Sequence, residues 1–116
     1  MGSADMVLRS GPYDAGGGRR EAVADALHRL APALPPFEST VVTDRALDSR
    51  GLGTARPEEA AWLALVAYAR HALTDYDELL ADGYNAESAR FFVLDDINAA
   101  LAHWGARRRV SGDEPP

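Results

Sequence analysis

The sequence predicts an all-α fold: a small single-domain bundle of about four helices with a long antiparallel helix pair at its heart. Three observations carry this. Between Pro57 and Gly83, Trp62, Leu65, Val66, Ala69, Leu73, Tyr76 and Leu80 recur with the roughly 3.6-residue period that keeps one helix face apolar. Between Asn85 and Gly105, Ala89, Val93, Ile97, Ala100, Leu101 and Trp104 repeat the pattern. The one β-branched run, Thr40 to Thr43, has no second strand to pair with, and a lone strand would leave its backbone groups unsatisfied.

The elements follow in chain order. Residues 1–18 hold little apolar patterning and end in three glycines, so a disordered arm is expected there. Val23, Ala26, Leu27 and Leu30 then mark a first helix from Arg19, which Pro32, Pro35 and Pro36 stop. Residues 37–49 read as a short helix capped by Ser39 or Thr40, with a strand as the competing reading. Gly51 and Gly53 allow positive φ, and the helix N-terminus beyond them could hold an anion between Arg50 and Arg56; a plain tight connector is the simpler reading.

Pro57 suits the first helical position, Glu58 and Glu59 complement the positive end of the dipole, and Gly83 suits a left-handed closing residue. One long, kinked helix over residues 57–82 is expected, with Thr74 and Asp75 capping a fresh helix as the alternative. Asn85 caps the last helix and Gly105 ends it. The domain is thus residues 19–105, and residues 106–116 form a basic, then disordered, tail. Arg107, Arg108 and Arg109 suit the negative end of the helix they trail, with phosphate binding as the other reading.

Composition sets the outer bounds. A chain of 116 residues, 47% hydrophobic and 26% charged, is of ordinary single-domain size. No apolar run reaches membrane-spanning length and no basic-then-apolar leader is visible, so a cytoplasmic protein with no membrane role is expected. Without cysteine there is no disulfide, thiolate ligand or cysteine nucleophile. The net charge of −6 repels polyanions, so nucleic acid would need a local basic face.

The densest polar stretch is Arg70-His71-Ala72-Leu73-Thr74-Asp75-Tyr76-Asp77, followed by Leu79-Leu80, Gly83, Ala89-Arg90 and Leu101-Ala102-His103-Trp104. This pattern resembles the bacterial family called domain of unknown function 2293, over residues 60–105. The resemblance implies a compact helical region and no established activity.

On a continuous helix Arg70, Thr74 and Asp77 would share one side, and His71, Asp75 and Glu78 another. Asp75 is then placed to orient the His71 ring, as a general base requires, so His71 and Asp75 are the catalytic candidates. Arg70 could pair with Asp77 or reach Glu87 or Asp96. The structural reading of the motif has Arg90 on Asp77, His71 satisfied by a carboxylate, and Tyr76 packed with its hydroxyl at the rim.

A metal site would need His28 or His103 beside His71, Asp75 and Glu78, and neither is placed for it; no metal or cofactor is expected. The expected role is a non-catalytic interaction module that binds a protein partner through Arg70, His71, Thr74, Asp75, Tyr76, Asp77 and Arg90. Second comes nucleic-acid or phosphate binding through a patch of Arg50, Arg56, Arg90, Arg107, Arg108 and Arg109. Third is a hydrolase or metal enzyme built on His71.

Overall fold

The computed structural model describes residues 14–111, with side chains from residue 18 onward. The described chain is all helical: α1 (Asp14–Leu30), α2 (Pro36–Asp48), a single 3-10 turn (Arg50–Leu52), α3 (Pro57–Leu73), α4 (Tyr76–Ala81) and α5 (Ala86–His103). No strand occurs among the described residues, so the β-branched run Thr40 to Thr43 is helical. Its buried members, Val42 and Thr43, sit in the core instead of a ladder.

Several boundaries differ from expectation. α1 starts at Asp14, a turn ahead of Arg19, so the part of the expected arm at residues 14–18 is helical. Mid-helix glycine costs only about 1 kcal/mol relative to alanine, which an anchored helix can absorb. The rest of that arm lies outside the described residues. α2 starts at Pro36, with Pro35 extended before it, so neither Ser39 nor Thr40 is its cap. A proline at the first helical position is already set to the right φ, and the Thr40 hydroxyl instead donates back to the Pro36 carbonyl at 3.2 Å.

The expected single rod over residues 57–82 is two helices. α3 stops at Leu73, Thr74 is extended (φ −134°, ψ 174°), and α4 restarts at Tyr76. Thr74 makes this turn: its hydroxyl donates to the Arg70 carbonyl at 2.5 Å and accepts from the Tyr76 N–H at 3.2 Å. A threonine that offers the backbone such alternatives breaks a helix where the ladder would otherwise continue. Gly83, at φ 104°, then closes α4.

α3 is the centre of the bundle. It packs against α1, α2 and α5, and α4 lies on α5. Seven of its residues are buried: Ala60, Ala61, Trp62, Ala64, Leu65, Val66 and Ala69. That set goes round most of the helix, so α3 carries more than the one apolar face read from the sequence. Its alanines let neighbouring backbones approach, while Trp62, Leu65, Leu27, Ile97 and Leu101 are fully buried and fill the space between helices. Each such large apolar side chain contributes about 1.5–3 kcal/mol through burial.

The two ends of the bundle are tied at Gly105. Its φ of 85° turns the chain after α5, and the Trp104 carbonyl there accepts from the Ala33 N–H at 2.9 Å. A Cβ at Gly105 would only touch the Pro32 ring at 3.4 Å, so it is the positive φ that calls for glycine there. The α5 start is as expected: the Asn85 side chain accepts from the Ser88 N–H at 2.8 Å.

Candidate functional site

α3 and α5 do not close on each other along their whole length. Between them lies a groove of about 550 Å³. From α3 it is lined by Trp62, Leu63, Val66, Ala67 and Arg70, spacings that belong to one helical face. From α5 come Glu87, Ser88, Arg90, Phe91, Phe92, Leu94 and Ile97. The wall is mostly apolar, with Arg70 and Arg90 as its cations and Glu87 as its carboxylate.

The motif residues divide between this groove and the outer surface. Arg70 is half-buried, and its guanidinium carbon lies 5.4 Å from the centre of the buried Tyr76 ring. On another side of that ring stands His71, edge-on at 5.4 Å between centroids. Tyr76 is therefore packed, as expected, and forms a wedge between the two; it is only 7% exposed.

His71 bonds Asp77, Nδ1 to Oδ1 at 2.7 Å, and both side chains are exposed. Asp75 is not its partner. The helix break at Thr74 removes the one-turn spacing that would have placed Asp75 beside His71, and brings round Asp77 from α4 instead. With Asp77 occupied, the expected pairing of Arg90 or Arg70 with it is absent, and Arg70 reaches neither Glu87 nor Asp96 within ion-pair distance.

Arg70 and Arg90 thus share the groove with no ion pair among the described residues. The Arg70 Nε is buried and has no acceptor. Burial pushes the Arg70 pKa down; the Tyr76 interaction opposes the shift, and the positive charges of Arg90 and of Arg45 on α2 reinforce it.

The far end of the groove is formed by the chain after α5. Asn98 is buried and holds Val110 through two bonds, Nδ2 to the carbonyl at 2.9 Å and Oδ1 from the N–H at 2.8 Å. Arg108 stands over the Trp62 ring at 4.2 Å, and Val110 and Ser111 line the groove with Ser49 and Leu52. A basic segment expected to trail the helix dipole is instead folded back on α3, held by a polar residue one position off the apolar stripe.

The remaining arginines do not gather there. Arg56 makes a long, exposed contact to Glu58 at 3.9 Å, and Arg50, Arg107 and Arg109 are exposed. Gly51 and Gly53 form the 3-10 turn with negative φ, so the positive-φ cradle they would permit is not built. Among the described residues no group of three or more His, Asp and Glu could hold a metal, and no described helix is long and apolar enough to cross a membrane.

Two features of the site escape sequence patterning. Phe91 and Phe92 are 70% and 60% exposed, off the buried stripe of α5. Asn98, which lies outside the apolar stripe of α5, is the anchor of the returning segment. Adjacent aromatics outside the periodic set were the only available signal.

A family model described as an uncharacterized conserved protein (DUF2293) matches residues 26–105. The match reaches back from the motif region at 60–105 through α2 into α1. No curated protein and no solved structure matches the chain.

Proposed function

We propose that this chain, which belongs to the DUF2293 family, is a non-catalytic interaction domain whose groove between α3 and α5 receives an acidic, apolar segment of a partner protein. The observation that carries this is the groove itself: about 550 Å³ of mostly apolar wall, with two arginines that make no ion pair among the described residues and one carboxylate, Glu87, beside them. Apolar concavities with a few convergent polar groups are the usual form of a binding site. Charge selects the partner: in a molecule of net charge −6 this end of the groove is locally positive, so an acidic segment is drawn to it and a basic one is not.

The His71–Asp77 pair supports a structural part for those two residues. Each satisfies the other, they flank Tyr76 with Arg70, and neither lines the groove. Their service is to fix the ring against which Arg70 rests.

The test is selection from a random-peptide display library on the wild-type domain, with Leu94→Arg as counter-selection. Leu94 is half-buried in the groove wall, so an arginine there blocks the apolar floor without reaching the closed core. Enriched peptides should combine an apolar anchor with acidic residues and lose most of their binding to the variant. Enrichment of basic peptides, or of peptides that bind both proteins equally, overturns the reading, and so does no enrichment at all.

A further inference from the structure

We propose that the chain supplies its own occupant for the groove: residues 112–116 lie along it and keep a partner out until they are displaced. This rests on the groove being a docking site and names how access to it is controlled.

The course of the chain after α5 carries the argument. α5 ends at His103, Gly105 turns the chain, and the following segment runs back beside α5 toward that helix's N-terminus. By Val110 it has returned to the level of Asn98, which holds both the N–H and the carbonyl of Val110. On the way Arg108 stands over Trp62 of α3, so the path is on the groove side of the helix pair. Val110 and Ser111 are already part of the groove wall. The chain therefore enters the groove at one end, directed at Arg90 and Arg70 at the other.

The lengths agree. Asn98 and Arg90 are eight residues apart on α5, about 12 Å along a helix that rises 1.5 Å per residue. An extended chain advances about 3.3 Å per residue, so the third and fourth residues beyond Val110 lie about 10–13 Å further on. Those residues are Asp113 and Glu114. Their carboxylates reach the level of the two arginines.

The chemistry agrees as well. Arg70 and Arg90 against Glu87 leave one positive charge, which one carboxylate meets. Neighbouring side chains on an extended backbone point to opposite sides, so one of Asp113 and Glu114 faces the arginines and the other faces water. Pro115 favours extended backbone at Glu114 before it. The rings of Pro115 and Pro116 then meet Phe91 and Phe92, the exposed aromatics of the groove wall, and proline-rich segments dock on aromatic surfaces of this kind. Tethering strengthens the contact: a segment fixed at Val110 meets the groove at an effective concentration on the order of millimolar.

The chain has no cysteine, so Pro116→Cys takes a nitroxide at one position and leaves Pro115 in place. Paramagnetic broadening of amides in the full chain then reports where the segment lies. The amides of Arg70, Arg90 and Phe91 should broaden, and Asp113→Asn with Glu114→Gln, or about 0.5 M salt, should relieve most of that broadening. In the unlabelled chain the same double substitution should make peptides from the display selection bind about threefold or more tightly. Glu21→Gln with Asp25→Asn, an equal change of charge on the exposed face of α1, should not.

Broadening confined to residues 104–111, or unchanged by the double substitution, overturns the proposal. So does broadening of an unlabelled chain mixed with the labelled one, which would make the occupant a second copy. The outcomes also part this occupant from the partner. Enriched peptides that bind the wild-type chain and the double variant equally, with no broadening at Arg70 or Arg90, remove the occupant and leave the docking groove. Charge-dependent broadening at both arginines with no peptide enriched on either protein keeps the occupant and removes the partner.

Discussion

The two sides of α3 are built on different rules. Toward α1 and α2 it presents Ala60, Ala61, Ala64, Leu65 and Ala69, all at most 1% exposed, and the neighbours that fill that side are Val23, Ala26, Leu27, Val42 and Ala46. Small residues bring the backbones together and leave no space. Toward α5 it presents Trp62, Leu63, Val66, Ala67 and Arg70, and a groove remains. The difference teaches that this side has given up packing for access: bulky side chains, a charge and two exposed phenylalanines stand where a purely structural interface would close.

The sharpest way to break that comparison is a truncation on each side. Leu65→Ala deletes a fully buried side chain from the closed face and should cost about 2–5 kcal/mol in urea unfolding, since the surrounding alanines have little to collapse with. Leu94→Ala on the groove wall removes a half-buried side chain and should cost less than about half as much, because there is already solvent beside it. Equal losses would mean that the groove is closed in solution.

Next in size is the segment that returns along the open side. Asn98→Ala removes both bonds to Val110, leaving the Val110 N–H and carbonyl without protein partners in a partly buried place. A loss of about 1–3 kcal/mol is expected. Amide exchange gives a finer signature: Val110 should lose its protection while the α1, α2 and α3 amides keep theirs. If protection falls evenly through the bundle, Asn98 is a core residue and not a local anchor.

How much of this was legible follows the same division. The closed side could be read because burial there is periodic: Val23, Ala26, Leu27 and Leu65 fall at helical spacing, as do Val93, Ile97 and Leu101 on α5. Arg70 and Arg90 were also found, through their place in the motif. What was hidden is the partner of His71, because it depends on Thr74 breaking the helix. That single hydroxyl decides between a continuous rod, in which His71 meets Asp75, and a turn, in which it meets Asp77. Helix propensity weighs such a choice at a fraction of a kcal/mol, less than the tertiary contacts that Tyr76 gains by turning inward. The return of Arg108 and Val110 was hidden for another reason: Asn98 lies twelve residues from its partner and carries no periodic signal.

The smallest effect concerns Tyr68, which lies at the edge between the two regions, with its ring 6.0 Å from that of Trp104. Its hydroxyl donates to Glu38 at 3.3 Å. Burial, then the Glu38 charge, then that bond push its pKa up, since all three penalise a phenolate. The folded chain therefore holds this proton more tightly than the unfolded one. The stabilisation is fully present below the unfolded value of about 10 and is lost as pH rises through the folded value, so it acts only in alkali. In Tyr68→Phe the group is gone, and the variant should lose less stability than wild type between about pH 9 and 11, while at pH 7 the two should differ by less than about 1 kcal/mol because the bond is long and partly solvated. Parallel stability curves for the two proteins across that range would show that Glu38 and Tyr68 do not interact in solution, and would remove the one side-chain hydrogen bond that ties α2 to α3 among the described residues.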